Sequence, residues 1–181
     1  MVLVFSAACS PFHGQRRDPG PTPRNEVEVL VLQESRRHNL DPALIKAIIW
    51  KESRFNQGAR GAAGELGLMQ VLGPAITDWT RATGNRRPSW REMTTPKRNI
   101  ELGTWYLAQR FRDFEGYQQQ TALAVLAYNA GAGATRRWLK GTDPSSVDAL
   151  LRRVTQPGPR HYVREVLKRY ERYQRDFHDD S

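Results

Sequence analysis

Apolar residues recur three and four positions apart along most of the chain, which is the spacing of one helix face rather than the alternation of a strand. The pattern therefore predicts an all-α (mainly α) protein with a single domain. Predicted helices cover about residues 25–38, 42–53, 74–82, 97–112, 119–129, 132–139, 145–153 and 160–177. Four consecutive apolar residues at 29–32 leave helix and strand both open for the segment 27–32. The polar segment 83–96 is predicted to be a surface loop.

The helix over residues 42–53 ends in a carboxylate that continues its apolar stripe. Asp41 is a favourable N-cap and Pro42 suits the first helical position. Leu44, Ile48 and Glu52 are four residues apart, so they share one face. Burial and the negative end of the helix dipole both raise the pKa of such a glutamate. Glu52 is therefore a candidate general acid, and the alternative is an ordinary, half-solvated glutamate at a helix end.

A loop framed by glycines follows this helix. Glycines at positions 58, 61, 64 and 67 precede the segment Leu68-Met69-Gln70, and Pro74 suits the start of another helix. Clustered glycines allow positive φ angles or a close approach of the backbone to a ligand. The loop is thus a candidate wall of a binding site.

A second unusual segment is the alanine-rich apolar helix over residues 121–130. It ends in Tyr128 and Asn129, followed by glycines at 131 and 133. Small residues permit close helix packing, and either glycine can cap the helix. An aromatic and an amide side chain at such an end can line a polar groove.

Three motifs in this order carry a resemblance to a known family: Glu52-Ser53-x-Phe55, Gly67-Leu68-Met69-Gln70 and Ala127-Tyr128-Asn129-Ala130-Gly131. Together they resemble the lytic transglycosylases of the soluble, goose-lysozyme-like type. The resemblance continues through Asn99-Ile100-x-x-Gly103-x-x-Tyr106-Leu107 and Tyr162-Val163, and covers about residues 25–175. It implies a single lysozyme-like helical domain over residues 25–181.

The resemblance also implies a reaction. The family cleaves the β-1,4 bond between N-acetylmuramic acid and N-acetylglucosamine in peptidoglycan without net hydrolysis, and leaves a 1,6-anhydromuramoyl end. Carried over, Glu52 protonates the leaving oxygen and its carboxylate then accepts the proton of the C6 hydroxyl. No cofactor and no metal is implied. Ordinary glycosidases need a pair of carboxylates, whereas this chemistry can proceed with one.

The residues that the resemblance places along the saccharide groove are Met69, Gln70, Leu72, Tyr128, Asn129 and Tyr162. Core packing is an equal alternative for Met69 and Leu72, while a buried amide at Gln70 would need several hydrogen bonds. Asn129 is expected to hold either the turn or Glu52. Tyr162 either brings its hydroxyl to the acid or packs the last helix.

Two other carboxylates and two departures from the family pattern bear on this interpretation. Glu65 is expected to be a solvated loop charge, and Glu101 is expected to face water on a helix. The family often has serine where this chain has Gly61, which puts some groove contacts in question. It also often has Glu-Thr-Arg where this chain has residues 158–160, Gly-Pro-Arg, so a subsite contact made by that glutamate is in question.

The chain is strongly basic, with a formal net charge of +9 and a pI near 10.2, which predicts attraction to polyanions. The arginines are spread over several segments and no nucleic-acid motif occurs, so we expect no nucleic-acid partner. Peptidoglycan glycan strands, with their peptide carboxylates, fit better. A monomer is expected.

The N-terminal segment resembles the end of a bacterial lipoprotein signal. It is short and apolar, and small residues precede Cys9, which would carry the lipid. A terminal segment with one free thiol is the alternative. Residues 1–24 are accordingly predicted to be a truncated signal and flexible tether, and the protein a periplasmic, outer-membrane-anchored envelope protein.

Two further functions compete with the transglycosylase. A hydrolase of the same fold would need a second carboxylate or a polar group that positions water, and Glu65 is the candidate for it. A catalytically silent wall-binding module would have no use for a protonated acid.

Overall fold

The computed structural model describes residues 24–179, and the side chains of residues 26–175 within that range. Its helices are α1 (Arg24–His38), α2 (Pro42–Ser53), α3 (Gly73–Thr83), α4 (Trp90–Met93), α5 (Pro96–Asp113), α6 (Gln120–Ala130), α7 (Ala132–Leu139), α8 (Val147–Arg153) and α9 (Pro157–Asp179). Within the described range, β structure is limited to isolated antiparallel bridges joining Leu66 to Arg60 and to Val71. The prediction of an all-α fold is confirmed.

The predicted helices agree closely with those observed, apart from two regions. The ambiguous segment 27–32 lies in α1, where Val27 and Val31, four residues apart, are buried and Val29 is exposed. The predicted loop 83–96 contains the single helical turn α4. Ser89 begins that turn with a capping box: its hydroxyl accepts from the Glu92 backbone N–H while Glu92 accepts from the Ser89 backbone N–H.

Helix α6 lies at the centre of the fold. All seven residues from Ala122 to Tyr128 are buried, so the helix has an apolar surface all round. It contacts α5, α7 and α9, and its alanines let these neighbours approach closely.

Helices α2 and α9 run antiparallel and form the most extensive helix pair. At the start of α2, Asp41 accepts hydrogen bonds from Tyr170 at 2.7 Å and Gln174 at 3.1 Å, both late in α9. At the end of α2, Glu52 meets Tyr162, early in α9. The pair therefore fixes both ends of the helix that carries the candidate acid.

The tight packing of α5 against the chain after α2 depends on Gly103. A Cβ atom at this position would lie 2.7 Å from the Cβ of Met69 and 2.5 Å from its sulfur. Only glycine allows α5 to lie this close to Met69, which has no exposed surface.

Among the described residues, none of the helices combines the length and the apolar character needed to cross a membrane. The division of the chain at residue 24 stays a prediction, and Cys9 lies outside the described residues.

We expect Gly103→Ala to lower the free energy of unfolding by about 1–3 kcal/mol, because the added methyl overpacks the contact with Met69. Gly133→Ala in α7 is the matched control, since its Cβ would meet only the end of the Arg137 side chain, at 3.7 Å. The control should be neutral or stabilising by up to about 1 kcal/mol. Chemical denaturation compares the two variants, and equal stability would contradict the packing argument.

Candidate active site

The side chain of Glu52 lies in the last turn of α2, half-buried, on the same stripe as the fully buried Leu44 and Ile48. The Tyr162 hydroxyl donates a hydrogen bond of 2.5 Å to its Oε1 atom. Burial raises the pKa of Glu52 from 4.5 to about 7, against the opposing effects of the Tyr162 hydrogen bond and the Lys51 charge. The group can therefore hold or release a proton near neutral pH.

The tyrosines near the acid remain neutral. Burial raises the pKa of Tyr162 and of Tyr128 well above 10, and the nearby Glu52 charge adds to this effect. Of the two alternatives for Tyr162, the structure favours the hydroxyl directed at the acid, and the residue also packs in the core with 5% exposure. A neutral phenol serves as a donor to the carboxylate and does not add a competing charge.

The chain turns away from α2 through two residues with left-handed backbone conformations. Arg54 has φ 53° and caps the helix through its N–H to the Trp50 carbonyl, and Phe55 has φ 64°. Such angles are uncommon outside glycine and cost energy, so the surrounding packing must hold them. They direct the chain from Glu52 into the glycine-framed loop.

The segment Leu68–Met69 passes through the core without helical hydrogen bonds of its own, and side chains from three helices pair with its backbone. The Ser53 hydroxyl donates to the Leu68 carbonyl at 2.8 Å. Tyr128 donates to the Met69 carbonyl at 2.8 Å, and Asn99 accepts from the Met69 N–H at 2.7 Å. Because unpaired buried backbone groups are costly, these side chains determine the path of the segment.

Asn99 is the most connected of these side chains. Besides the Met69 N–H, its amide nitrogen donates to the carbonyls of Leu66 at 2.8 Å and Met93 at 2.7 Å, and the side chain has no exposed surface. Gly67, at φ 75°, faces it closely: a Cβ there would lie 2.7 Å from the Asn99 carboxamide carbon. Asn99 thus joins the loop, α4 and α5 at one point.

Gln70 ends this segment in a left-handed conformation, with φ 46°. Its amide nitrogen donates to the carbonyls of Gly67 at 2.8 Å and Ala59 at 3.0 Å. The half-buried amide therefore closes the glycine-framed loop, and its oxygen has no hydrogen-bond partner among the described residues.

The remaining predicted groove residues differ in their exposure. Met69 is fully buried against Gly103, as the core-packing alternative requires, while Leu72 is 38% exposed before α3. Asn129 is exposed and makes no hydrogen bond to Glu52 within the described part of the chain. Tyr128 is buried, with its ring edge-on to Tyr106 at 5.4 Å. Leu72 and Asn129 are thus accessible to a ligand, whereas Met69 and Tyr128 support the site from within.

The two rival carboxylates are both half-buried. The expectation that Glu101 faces water is wrong, because it pairs with Arg98 at 2.6 Å and with Arg37 at 3.8 Å, between α5 and α1. Glu65 is not simply a solvated loop charge. It accepts a hydrogen bond from the Ala63 N–H at 2.9 Å, and its charge raises the pKa of Glu52.

The departure at Gly61 has a physical explanation in the position of Glu65. A Cβ atom on Gly61 would overlap a carboxylate oxygen of Glu65 and lie 2.6 Å from its carboxyl carbon. A side chain at residue 61 is thus incompatible with Glu65 in this conformation. The departure at Gly158 has no such neighbour, since a Cβ there meets nothing within 4 Å.

A cavity of about 380 Å³ lies beside α2 on the side away from the acid. Trp50 is stacked there between the guanidinium groups of Arg54, at 3.3 Å, and Arg169, at 3.6 Å. Two positions along a helix rotate a side chain by about 200°, so Trp50 and Glu52 point to opposite sides. This cavity is separate from the candidate active site.

Sequence reasoning did not assign site roles to Ser53 and Asn99, although both lie in the motifs that carry the family resemblance. The available signal was a polar residue inside an apolar helical stripe: Asn99 precedes Ile100 and Leu102–Gly103, all at the buried face of α5. A buried amide requires partners, and here the partners are backbone groups of the loop.

Comparison with known proteins identifies the family of the chain. A family model described as the transglycosylase SLT domain matches residues 30–149. The chain is 33% identical over 163 residues to membrane-bound lytic murein transglycosylase C of Actinobacillus pleuropneumoniae serotype 5b, covering 80% of this chain and 44% of the relative. The protein of the same name from Salmonella typhimurium is 39% identical over 114 residues, which cover 60% of this chain and 32% of the relative. The chain spans less than half the length of these relatives.

Solved structures show the same fold. An inactive mutant of lytic transglycosylase Slt from Pseudomonas aeruginosa superposes with a TM-score of 0.76 at 31% identity, over 83% of this chain and 24% of that one. The 70 kDa soluble lytic transglycosylase of Escherichia coli superposes with a TM-score of 0.74 at 26% identity, over 87% of this chain and 25% of that one.

We expect Asn99→Ala to lower the free energy of unfolding by at least about 2 kcal/mol, because it leaves the buried Met69 N–H and Met93 carbonyl without partners, while the Leu66 carbonyl keeps its bond from the Val71 N–H. Asn129→Ala is the matched control: the side chain is exposed and unbonded, so the change should stay within about 0.5 kcal/mol. Urea denaturation measures both, and a small effect at residue 99 would show that Asn99 does not hold the loop.

We also expect a pH-dependent gain in stability from Glu52→Gln. A carboxyl whose pKa rises from 4.5 to about 7 on folding costs no stability below pH 4.5, where both states are protonated. The cost grows between about pH 4.5 and 7, where the unfolded chain releases the proton and the folded chain keeps it, and it is constant at higher pH. The variant should match the wild type below pH 4.5 and exceed it well above pH 7, by up to about 3 kcal/mol. Thermal denaturation at both ends tests this, and a gain independent of pH would contradict it.

Proposed function

The chain belongs to the transglycosylase SLT domain family, and on this premise we propose that it is a peptidoglycan lytic transglycosylase. Its substrate would be the glycan strand, cleaved between N-acetylmuramic acid and N-acetylglucosamine. The observation that carries the proposal is the half-buried Glu52, whose pKa is raised to about 7 and whose carboxyl is held by Tyr162. The relatives named as lytic murein transglycosylases support the same activity.

In the proposed reaction, protonated Glu52 donates its proton to the glycosidic oxygen as the bond to C1 of the muramoyl ring breaks. The C6 hydroxyl of that ring then attacks C1 and gives its proton to the Glu52 carboxylate. The acid is thereby restored, no water is consumed, and the product carries a 1,6-anhydro ring. A pKa near 7 suits a group that must both give and take a proton near neutral pH.

Tyr162 would support both halves of this cycle. Its hydroxyl donates to Oε1 of Glu52, so it stabilises the carboxylate after the first proton transfer and orients the acid before it. Burial raises the pKa of Glu52 and this hydrogen bond lowers it. The resulting pKa of about 7 lies above that of an ordinary carboxyl but still allows the group to ionise near neutral pH.

The loop behind the acid would supply the saccharide contacts. Leu72 and Asn129 are exposed, and Gln70 has an amide oxygen without a partner among the described residues, so these can meet the sugar directly. Met69 and Tyr128 would not touch the sugar but would hold Gln70 in place, since the Tyr128 hydroxyl donates to the carbonyl of Met69, the residue before Gln70. Buried hydrogen bonds would thus position the proposed groove.

We further propose that the protein works in the bacterial cell envelope. The curated relatives described above are named membrane-bound. Lipidation of Cys9 would give outer-membrane attachment, and residues 10–24 would then be the tether; both lie outside the described residues except for Arg24. The net charge of +9 would favour adhesion to peptidoglycan and other anionic polymers.

Mass spectrometry of muropeptides released from purified peptidoglycan tests the activity. Wild type should release products lighter than reducing-end muropeptides by one water, and Glu52→Gln should release none, because an amide cannot donate the proton. Glu115→Gln, at an exposed carboxylate after α5, is the matched control and should keep full activity.

The wild-type rate should fall about tenfold per pH unit above about 7, as Glu52 loses its proton.

Three outcomes would overturn the proposal. Reducing ends that depend on Glu52 would make the protein a hydrolase of the same fold. Comparable products from wild type and Glu52→Gln would remove Glu52 from the mechanism, and an absence of any product would favour a wall-binding module.

A further inference from the structure

The carboxylate of Glu65 is held in a defined position by the glycine-framed loop. Its Oε2 atom accepts a hydrogen bond from the Ala63 N–H, and the backbone around it is closed by the Gly61 N–H donating to the Glu65 carbonyl at 3.0 Å. Gly64, with φ 91°, provides the sharp turn between these residues. The side chain therefore lies folded back over residue 61.

Glycine at residue 61 leaves the space that this carboxylate occupies. A Cβ atom there would overlap the carboxylate, while the backbone of Gly61 is not in a left-handed conformation that would itself require glycine. Residue 61 thus needs to be glycine only while the Glu65 side chain keeps this conformation. The loop presents a carboxylate from residue 65 at the place where another sequence would present a side chain from residue 61.

The electrostatic setting of Glu65 is unfavourable for a purely structural carboxylate. Within the described side chains, no lysine or arginine lies within ion-pair distance of Glu65, although the chain carries 28 such residues. Its charge also acts on Glu52, whose other charged or titratable neighbours are Lys51 on α2, Tyr128 on α6 and Tyr162 on α9. Like charges held near each other destabilise a fold and are typical of functional sites.

We propose that Glu65 is a substrate-positioning residue: its carboxylate, seated over Gly61, accepts a hydrogen bond from a hydroxyl or acetamido N–H of the sugar bound at Glu52. A carboxylate only accepts hydrogen bonds, so it selects donor groups, which N-acetylated sugars carry. One oxygen is held by Ala63 and the other, Oε1, has no hydrogen-bond partner within residues 26–175. The role deepens the proposed function and rests on it.

The same charge has a second consequence for the acid. Glu65 raises the pKa of Glu52, so its negative charge helps to keep the acid protonated before the reaction. Once the sugar develops positive charge at C1, a nearby carboxylate favours that state as well. Binding and protonation of the acid are thereby linked through one side chain.

Binding of purified glycan strands by calorimetry provides the first test, in the Glu52→Gln background so that no turnover occurs. Adding Glu65→Ala should weaken binding about tenfold or more, because a charged acceptor is lost. Gly61→Ser with Glu65 retained should also weaken binding, since the two side chains overlap. Gly61→Ser combined with Glu65→Ala should recover part of the affinity, because a hydroxyl then replaces the carboxylate.

The pH profile of cleavage provides the second test, with Glu52 intact. Glu65→Gln keeps an oxygen that can accept from Ala63 but removes the charge, so the pKa of Glu52 falls and the loss of rate should begin at lower pH than in wild type. Glu115→Gln should leave the profile unchanged. Thermal denaturation of each variant separates two causes of a changed profile. A Tm equal to that of wild type indicates a defect in the site, and a lower Tm indicates a defect in the folding of the loop.

Unchanged binding in the Glu65→Ala variant, or a pH profile of Glu65→Gln identical to that of wild type, would overturn the inference. So would a double variant no better than Glu65→Ala alone. If wild type releases no Glu52-dependent product, the proposed function fails, and the calorimetric comparison still decides whether Glu65 contacts the sugar. If products form but carry reducing ends that depend on Glu65, the residue positions water and not the sugar.

Discussion

The path of one short segment without helical hydrogen bonds, Leu68–Met69, underlies the whole arrangement of the candidate site. It crosses the core, where each unpaired N–H or carbonyl would cost about 1–3 kcal/mol. Ser53 from α2, Asn99 from α5 and Tyr128 from α6 supply the partners. Because these side chains come from three different helices, the same hydrogen bonds that stabilise the segment also fix the distances between those helices.

This constraint explains why the acid and its loop act as one unit. Ser53 directly follows Glu52, so the bond that holds the loop also holds the end of α2. On the opposite side, α9 brings Tyr162 to the Glu52 carboxyl. The proton affinity of the acid is then a balance between two opposing effects: burial and the Glu65 charge raise the pKa of Glu52, and the Tyr162 hydroxyl and the Lys51 charge lower it. Such a balance needs rigid surroundings, since either effect changes with small displacements.

Much of this protein could be predicted from local sequence. The 3.6-residue periodicity indicated the long helices, Asp41 and Pro42 indicated the start of α2, and the stripe through Leu44 and Ile48 indicated the burial of Glu52. These features depend on neighbours within a few turns of helix, which the sequence places by itself. The single turn α4 was not anticipated, because its capping box lies among loop residues.

The partners of the polar groups were decided by the tertiary structure. The bond between Tyr162 and Glu52 joins residues 110 positions apart, and that between Tyr128 and Met69 joins residues 59 apart. Sequence could not distinguish a solvated Glu65 from one folded over Gly61, since a carboxylate suits either setting until the space beside it is known. The sequence by itself therefore determined most of the helices and the place of the Glu52 carboxyl at the end of a buried stripe. Only the packing of the helices decided which hydrogen bonds and charges reach that carboxyl, because these interactions depend on contacts between distant segments.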